Sequence, residues 1–296
     1  MTGYTHLTLS GDLGSGKTSV ARQLAQHLNM KVYSTGELHR QIAAELSQSA
    51  LEANRTAEID DSIDRRIDGL TIELGRGRVP MIFDSRMAWH MVEDALRVHL
   101  LVDAKEAARR VLNRAATAVE RYASLAEASE GLKERSSVER RRFSAKYGVD
   151  ILALKNYDLI VDTTGVELDD TVSLIESEFH KGNYDRAKLW VDPARVLDLS
   201  QAPLPKALEA FVDEISSAAR QDELNVFYVA PEFFLLLPED AQTLRRVRAA
   251  GSRLVPANLL ADGIDAKEQG IYLARALGDP QTRLSRAALP TSRSQR

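Results

Sequence analysis

Gly11-Asp12-Leu13-Gly14-Ser15-Gly16-Lys17-Thr18 fits the pattern G-x-x-x-x-G-K-[S/T], and the rest of the chain is read outward from it. Upstream, His6-Leu7-Thr8-Leu9-Ser10 alternates like a strand; downstream, Val20, Leu24 and Leu28 recur on one helical face. A glycine-rich turn between strand and helix can curl so that its N–H groups point inward, and the helix adds the positive end of its dipole. The guest that suits this cradle is a phosphate chain. Gly11, Gly14, Ser15, Gly16, Lys17 and Thr18 are therefore the expected nucleotide-binding residues, with Lys17 on the terminal phosphates and the Thr18 hydroxyl on Mg2+. NTPases, kinases and switches share this loop, so it predicts nucleotide binding without saying how the nucleotide is used.

The chain has 296 residues, 44% of them hydrophobic, enough for two domains with cores of their own. With no cysteine it has no disulfide scaffold, thiolate metal site or cysteine nucleophile. No apolar run approaches the ~18 residues that span a bilayer, and the text opens almost at once on a strand, so a cytoplasmic protein with no membrane partner is expected. A net charge of −4 gives the kinase-like part no general attraction for nucleic acid, although Arg140-Arg141-Arg142 runs against the global sign.

Along the chain, Met30 to Tyr33 reads as an edge strand. Ser34 and Glu37 have capping-box spacing ahead of a helix with Leu38, Ile42 and Leu46 on its apolar face. A second helix carries Ile59, Ile63, Ile67, Leu70 and Leu74; its acids Glu58, Asp60, Asp61, Asp64 and Asp68 read as a solvated face. Val79 to Phe83 forms a strand ending in Asp84-Ser85-Arg86, and Val98 to Val102 another ending at Asp103. The text is then helical and charged from Lys105 to about Arg142. Tyr157 to Val161 is the next strand, leading into Asp162-Thr163-Thr164-Gly165 and a helix through Val172 and Ile175. Strands alternating with helices predict an α/β fold whose parallel sheet is covered on both faces, with ligands at the carboxyl ends of the strands.

Lys181 to Asp185 reads as a linker. Beyond it the pattern restarts as a small α/β domain over 186–278: strands at 188–196, 224–229, 233–237 and 254–257, and helices at 205–220, 239–250 and 266–277. Residues 279–296 read as a disordered tail.

A phosphoryl transferase needs a second anion site facing the loop, and cations able to close over the transferring group. Arg40, Arg86, Arg110, Arg135 and Arg142 are the candidates; Arg86 directly follows a sheet strand, and an i,i+4 pair of Arg135 with Glu139 is the plainer alternative for that helix. Asp84 is placed to accept a Mg2+-bound water beside Thr18, or else to cap the following helix. The six histidines show no metal spacing.

The combination of Gly11 to Thr18, Tyr33-Ser34-Thr35-Gly36-Glu37-Leu38-His39-Arg40, Asp84-Ser85-Arg86, Arg109-Arg110, Arg135 to Arg142, Tyr147-Gly148-Val149-Asp150 and Asp158 to Thr164 resembles the cytidylate kinases, most of all their shorter archaeal-type branch. The resemblance spans residues 1–180, with acceptor-binding helices at about 34–75 and a lid at about 110–146. It implies ATP and Mg2+ at the loop, with Arg110 on the ATP side, and a pyrimidine nucleoside monophosphate held by Ser34, Arg40 and Arg86. It also implies a lid whose Arg135 and Arg142 close on the phosphates, and an acceptor contact from Glu139. The bacterial branch carries an acid directly after the arginine matching Arg86, where this chain has Met87. The expected activity is transfer of the γ-phosphoryl of ATP to CMP or dCMP. The alternatives are a kinase for another acceptor, such as a modified pyrimidine nucleotide, free or in DNA, and a nucleotide-gated binding module without catalysis. The C-terminal part faintly resembles ParB/sulfiredoxin-like domains, but Glu239 to Thr243 stands where their G-x-H-R signature would be, so a non-catalytic module with an unknown partner is expected.

Overall fold

The computed structural model describes residues 3–38, 62–113, 122–182, 187–200, 219–220, 223–229, 232–235 and 239–262. Arg40, the helices expected at 205–220 and 266–277, and the tail lie outside the described residues, apart from 219–220. The chain divides into two compact units, Met1–Ala187 and Lys188–Arg296. Among the described residues no helix is long and apolar enough to cross a membrane.

The first unit runs β1 (His6–Gly11), α1 (Lys17–Leu28), β2 (Lys31–Ser34), α2 (Ser62–Gly75), β3 (Met81–Asp84), α3 (Ala88–Met91), β4 (Ala95–Leu101), α4 (Ala104–Leu112), α5 (Leu125–Tyr147), β5 (Leu159–Asp162) and α6 (Leu168–Lys181). Its strands lie in the order β2-β3-β1-β4-β5, all parallel, giving the P-loop kinase fold. The alternation in β1 suggests one wet face, yet His6, Thr8 and Ser10 are as buried as Leu7 and Leu9. A central strand of a sheet covered on both sides has no wet face, so its polar residues need internal partners. His6 Nε2 lies 3.0 Å from the Gly77 carbonyl, and Ser10 Oγ lies 3.3 Å from the Tyr157 hydroxyl.

The charged run after β4 is two helices rather than one. Asp103 caps α4 by accepting from the N–H groups of Lys105 and Glu106. Ser124 caps α5, its Oγ accepting from Glu127 N, and Glu127 Oε2 accepts from the N–H of Ala123, one residue before the cap. Gly148, left-handed at φ 69°, ends α5. Ala128 and Leu132, in the first half of α5, pack on Ala107, Ala108 and Val111 of α4. The second half of α5, anchored by that packing, carries Arg135, Glu139 and Arg142.

Register places the site. Ser34 pairs with Asp84 across β2 and β3, Leu9 with Asp84 across β1 and β3, and Leu101 with Asp162 across β4 and β5. The carboxyl ends of the strands therefore end level with the loop that follows β1.

The second unit holds β6 (Lys188–Val191), β7 (Val196–Asp198), β8 (Leu224–Val229), β9 (Glu232–Leu235), α7 (Asp240–Ala249) and β10 (Val255–Asp262). Their order is β6-β10-β8-β9-β7, with β10 antiparallel to β6, parallel to β8, and β8 antiparallel to β9. The segment expected as one strand over 188–196 is broken into β6 and β7 by a 3-10 turn at Pro193–Arg195, where proline supplies no ladder donor. Beneath α7, buried Asn225 donates to Asp240 Oδ1 at 3.1 Å and accepts from Asn258 at 2.9 Å.

Tyr157 fastens the chain behind the loop. It is fully buried, donates its hydroxyl to the Ile151 carbonyl at 2.7 Å, and stacks on His99 with ring centroids 4.4 Å apart. Burial pushes its pKa up, which keeps the phenol a neutral donor. Tyr157→Phe is expected to lower the unfolding free energy by about 1–2 kcal/mol, since it leaves the buried Ile151 carbonyl without its donor. Urea denaturation measures this, and an unchanged midpoint would contradict it.

Candidate functional site

The loop is shaped by positions that only glycine tolerates. Gly11, Gly14 and Gly16 take φ of 149°, 82° and 91°. A Cβ on Gly11 would lie 2.5 Å from the Leu100 carbonyl oxygen, and one on Gly14 would lie 2.9 Å from the Ala107 backbone. Gly16 precedes α1 and offers no side-chain cap, which leaves the first N–H groups of α1 facing the cradle. Ser15 Oγ is buried without a hydrogen-bond partner among the described residues. An orphaned hydroxyl inside a ring of amides fits an incoming phosphate oxygen.

The loop is braced from below. Asp12 Oδ2 accepts from Val102 N at 3.1 Å. The Thr163 hydroxyl lies 3.0 Å from the carbonyl oxygens of both Ser15 and Leu101. Arg110 donates to the Thr163 carbonyl at 2.6 Å, to that of Thr164 at 3.2 Å and to that of Ser15 at 3.4 Å, while Glu106 takes its Nε. Sequence reasoning placed Arg110 on ATP; in the structure its fork is bonded to the underside of the loop. The bracing roles of Asp12 and Thr163 were missed. The strand-end position of Thr163 was the available signal.

At the mouth of the loop the charges alternate. Lys17 Nζ donates to Asp84 Oδ1 at 3.4 Å, and the Thr18 hydroxyl donates to Asp84 Oδ2 at 3.0 Å. Arg86 donates from Nη1 to the Gly11 carbonyl at 2.7 Å and pairs through Nε with Glu139 Oε2 at 3.2 Å. Arg135 Nε donates to Glu139 Oε1 at 2.9 Å, the pair expected from i,i+4 spacing. Asp84 caps no helix: α3 starts after Met87, and Asp84 faces Lys17 and Thr18. A hydroxyl and a carboxylate held together at the start of α1 are hard-oxygen donors that fit Mg2+. Among the described residues no cluster of three or more His, Cys, Asp or Glu could hold a metal, so Mg2+ here would rely on Thr18, Asp84, water and phosphate oxygens.

Ser34 stands at the edge of this group, its Oγ accepting from Glu37 N at 3.4 Å as the start of a capping box. Arg142, expected to close on the phosphates, does not join the cluster of Lys17, Arg86 and Glu139. Its Nη2 binds both oxygens of Asp64 on α2, at 2.7 and 2.5 Å, and Lys146 joins the same carboxylate at 3.1 Å. This corrects the reading of Asp64 and Asp68 as part of a solvated face; Glu58, Asp60 and Asp61 lie outside the described residues. Asp64 is only 7% exposed, and Asp68 accepts from the Tyr147 hydroxyl at 2.8 Å. Asp64, Ile67, Asp68 and Thr71 follow the i, i+3, i+4, i+7 stripe of a buried helix face, and that spacing was the overlooked signal.

Burial and the neighbouring Arg86 guanidinium push the Lys17 ammonium below the usual lysine range, against the pull of Asp84 and Glu139. Burial alone would raise the Glu139 carboxyl, but Arg86 and Arg135 outweigh it and hold it low. Asp64 behaves alike: burial raises it, and Arg142 and Lys146 more than reverse that. A carboxylate held below its unfolded value stabilises the fold above that value and loses the contribution as pH falls through the folded one. Unfolding free energy is therefore expected to fall as pH drops from about 5 to about 3, and Glu139→Gln to show a shallower fall over the same window. Parallel profiles for the two proteins would contradict the assignment.

With this geometry in view, comparison with known proteins is direct. A family model described as cytidylate kinase-like matches residues 6–165. A cytidylate kinase of Methanocella arvoryzae is 36% identical over 169 residues, which is 57% of this chain and 93% of that protein. One from Pyrococcus furiosus is 33% identical over 172 residues, 58% of this chain and 86% of that protein. An S-adenosylmethionine-dependent nucleotide dehydratase of Lacinutrix mariniflava is 29% identical over 184 residues, 60% of this chain but 37% of that protein. These matches concern the part of the chain that holds the loop, the strand ends and α5, and on them the chain belongs to the cytidylate kinase-like family.

Proposed function

We propose that the chain is an ATP-dependent nucleoside monophosphate kinase that transfers the γ-phosphoryl group to CMP or dCMP. The observation that carries this reading is the set of three cations, Lys17, Arg86 and Arg135, around Glu139 at the mouth of the glycine loop. A nucleotide hydrolase needs cations for one polyphosphate only; a second basic group directed across the mouth suits an acceptor phosphate.

In this reading the loop amides and Lys17 hold the β- and γ-phosphates, and Arg86, with Ser34 and Arg40, holds the acceptor phosphate. An oxygen of the acceptor phosphate attacks the γ-phosphorus as the bond to the ADP oxygen breaks. Little covalent chemistry is asked of the protein, which positions the two ends in line and offsets the charge on the transferring group with Lys17 and Arg135. Mg2+ held by Thr18 and Asp84 supplies further neutralisation of phosphate charge when bound. The carbonyls of Gly11 and Ser15, tied by Arg86 and Arg110, keep the cradle from relaxing between turnovers. Helix α5 keeps water away from the γ-phosphoryl, which would otherwise be lost to hydrolysis.

A second reading, a kinase for another acceptor nucleotide, has its support in Met87. That side chain is 4% exposed, so the position that holds an acid in the bacterial branch offers the acceptor no carboxylate. The base and sugar must then be read by other residues. The test is ADP formation with ATP and Mg2+ against CMP, dCMP, UMP, dTMP, AMP and no acceptor. Turnover confined to CMP and dCMP is expected, and turnover on AMP alone or independent of any acceptor would contradict the proposal. Lys17→Ala is expected to lower kcat by about 10²–10³-fold or more, since it removes a charge aimed at the transferring group.

A further inference from the structure

His99 of β4 is 1% exposed, and among the described residues neither of its ring nitrogens has a hydrogen-bond partner. A buried imidazole ordinarily makes at least one such bond, because polar atoms left without a partner are costly. His6, on the neighbouring strand, follows that rule through the Gly77 carbonyl. The core around His99 offers it nothing comparable. The Tyr157 ring covers it at 4.4 Å between centroids, but the phenol gives its proton to the Ile151 carbonyl. Its ladder partners are Ser10 of β1, whose Oγ lies beside the Tyr157 hydroxyl, and Ile160 of β5, which has no polar side-chain atom.

The polar atom that His99 does face belongs to the nucleotide loop. Its Nε2 lies 3.9 Å from Asp12 Oδ1, within ion-pair range but too long for a hydrogen bond. Asp12 is the one acid in the eight residues of the loop, and a carboxylate there opposes the phosphates that the loop is shaped to receive. The Asp12 N–H is fixed on the Leu100 carbonyl at 2.9 Å, and Oδ2 is held by the Val102 N–H at 3.1 Å. The side chain nevertheless keeps 27% of its surface exposed, so a turn of the carboxylate is the movement that remains. A shift of about 1 Å brings Oδ1 within hydrogen-bond reach of Nε2. A neutral imidazole carries one donor, and in the tautomer with its proton on Nε2 that donor suits Oδ1.

We propose that His99 is a positioning residue of the nucleotide loop: when a polyphosphate fills the cradle, His99 Nε2 takes up Asp12 Oδ1 and holds the loop's own acid against β4, away from the phosphates. Repulsion between phosphate and carboxylate drives the turn, and the imidazole receives the displaced oxygen. The inference rests on the reading of the loop as the ATP site. His99 touches no nucleotide, and its effect is transmitted through Asp12.

The test is calorimetric binding of ATP with Mg2+ to the full chain and to its variants His99→Phe, Asp12→Asn and both together. Phenylalanine keeps a ring against Tyr157 and removes both unpartnered nitrogens. His99→Phe is expected to weaken ATP binding about 10-fold, the worth of one bond to a charged group, at a melting temperature no lower than that of the unaltered chain. A merely structural histidine would show the reverse, lost stability at unchanged affinity. Asp12→Asn keeps an acceptor for Val102 N and removes the charge that has to be restrained. In that background His99→Phe is expected to change ATP affinity by less than about twofold. Unchanged ATP affinity for His99→Phe, or the same loss in both backgrounds, overturns the proposal. If His99→Phe does not fold, the unaltered chain decides by nuclear magnetic resonance. The imidazole in contact with the Tyr157 ring is expected to shift its Nε2 resonance when ATP is added, and a resonance that stays in place overturns the proposal. ATP binding without transfer to any monophosphate fails the kinase reading and leaves this test intact, whereas absence of ATP binding overturns both.

Discussion

The site depends on keeping a lysine charged where water is scarce. The Lys17 side chain is 17% exposed and has Arg86 for a neighbour, and both features favour losing its proton. Asp84 and Glu139 act the other way. Three cations and two carboxylates leave the mouth of the loop with one uncompensated positive charge before any ligand arrives, counting Lys17, Arg86 and Arg135 against Asp84 and Glu139. A polyphosphate brings the charge that completes this balance, and neither a neutral sugar nor a cationic substrate would.

That arrangement explains why the surrounding fold is so tightly braced. A preorganised electrostatic site works only if its dipoles do not reorient when the substrate enters. Arg86 is held by the Gly11 carbonyl, Asp84 by Thr18 and by its register beside Leu9, and the loop by Asp12, Thr163 and Arg110. Each brace joins the end of one sheet strand to the loop or to its neighbour. Helix α5 differs, since its first half packs on α4 through Ala128 and Leu132, while its second half is tied through ion pairs and hydrogen bonds to Arg86, Asp64 and Asp68.

Much of this was legible in the sequence, for physical reasons that can be named. The eight residues from Gly11 to Thr18 carry a backbone requirement, two positions where a side chain would collide with Leu100 or Ala107, and such requirements are visible as glycine. The strands were visible as short apolar runs between charged helices, and Asp84-Ser85-Arg86 stood out by its place at a strand end. What escaped notice were partnerships between distant residues. Asp64 looks like any acid on a charged helix until Arg142, 78 positions away, is brought beside it. Arg110 was expected on the ATP side, but one-dimensional text cannot say whether a guanidinium faces a ligand or the carbonyls of Thr163 and Thr164. The burial of His6, Thr8 and Ser10 is not written in β1 alone, since burial on both faces is a property of the sheet and not of the strand.

In the proposed reaction one cleft holds two phosphate groups from two nucleotides face to face. The most direct measurement is calorimetric binding of a compound in which adenosine and cytidine are joined through five phosphates, compared with ATP and CMP taken singly. If donor and acceptor sites face each other, the joined compound binds about 10²–10⁴-fold more tightly than either nucleotide, because the second contact is made within one molecule. Affinity no better than that of ATP alone would mean that the cations around Glu139 do not form an acceptor site, and the account would fail.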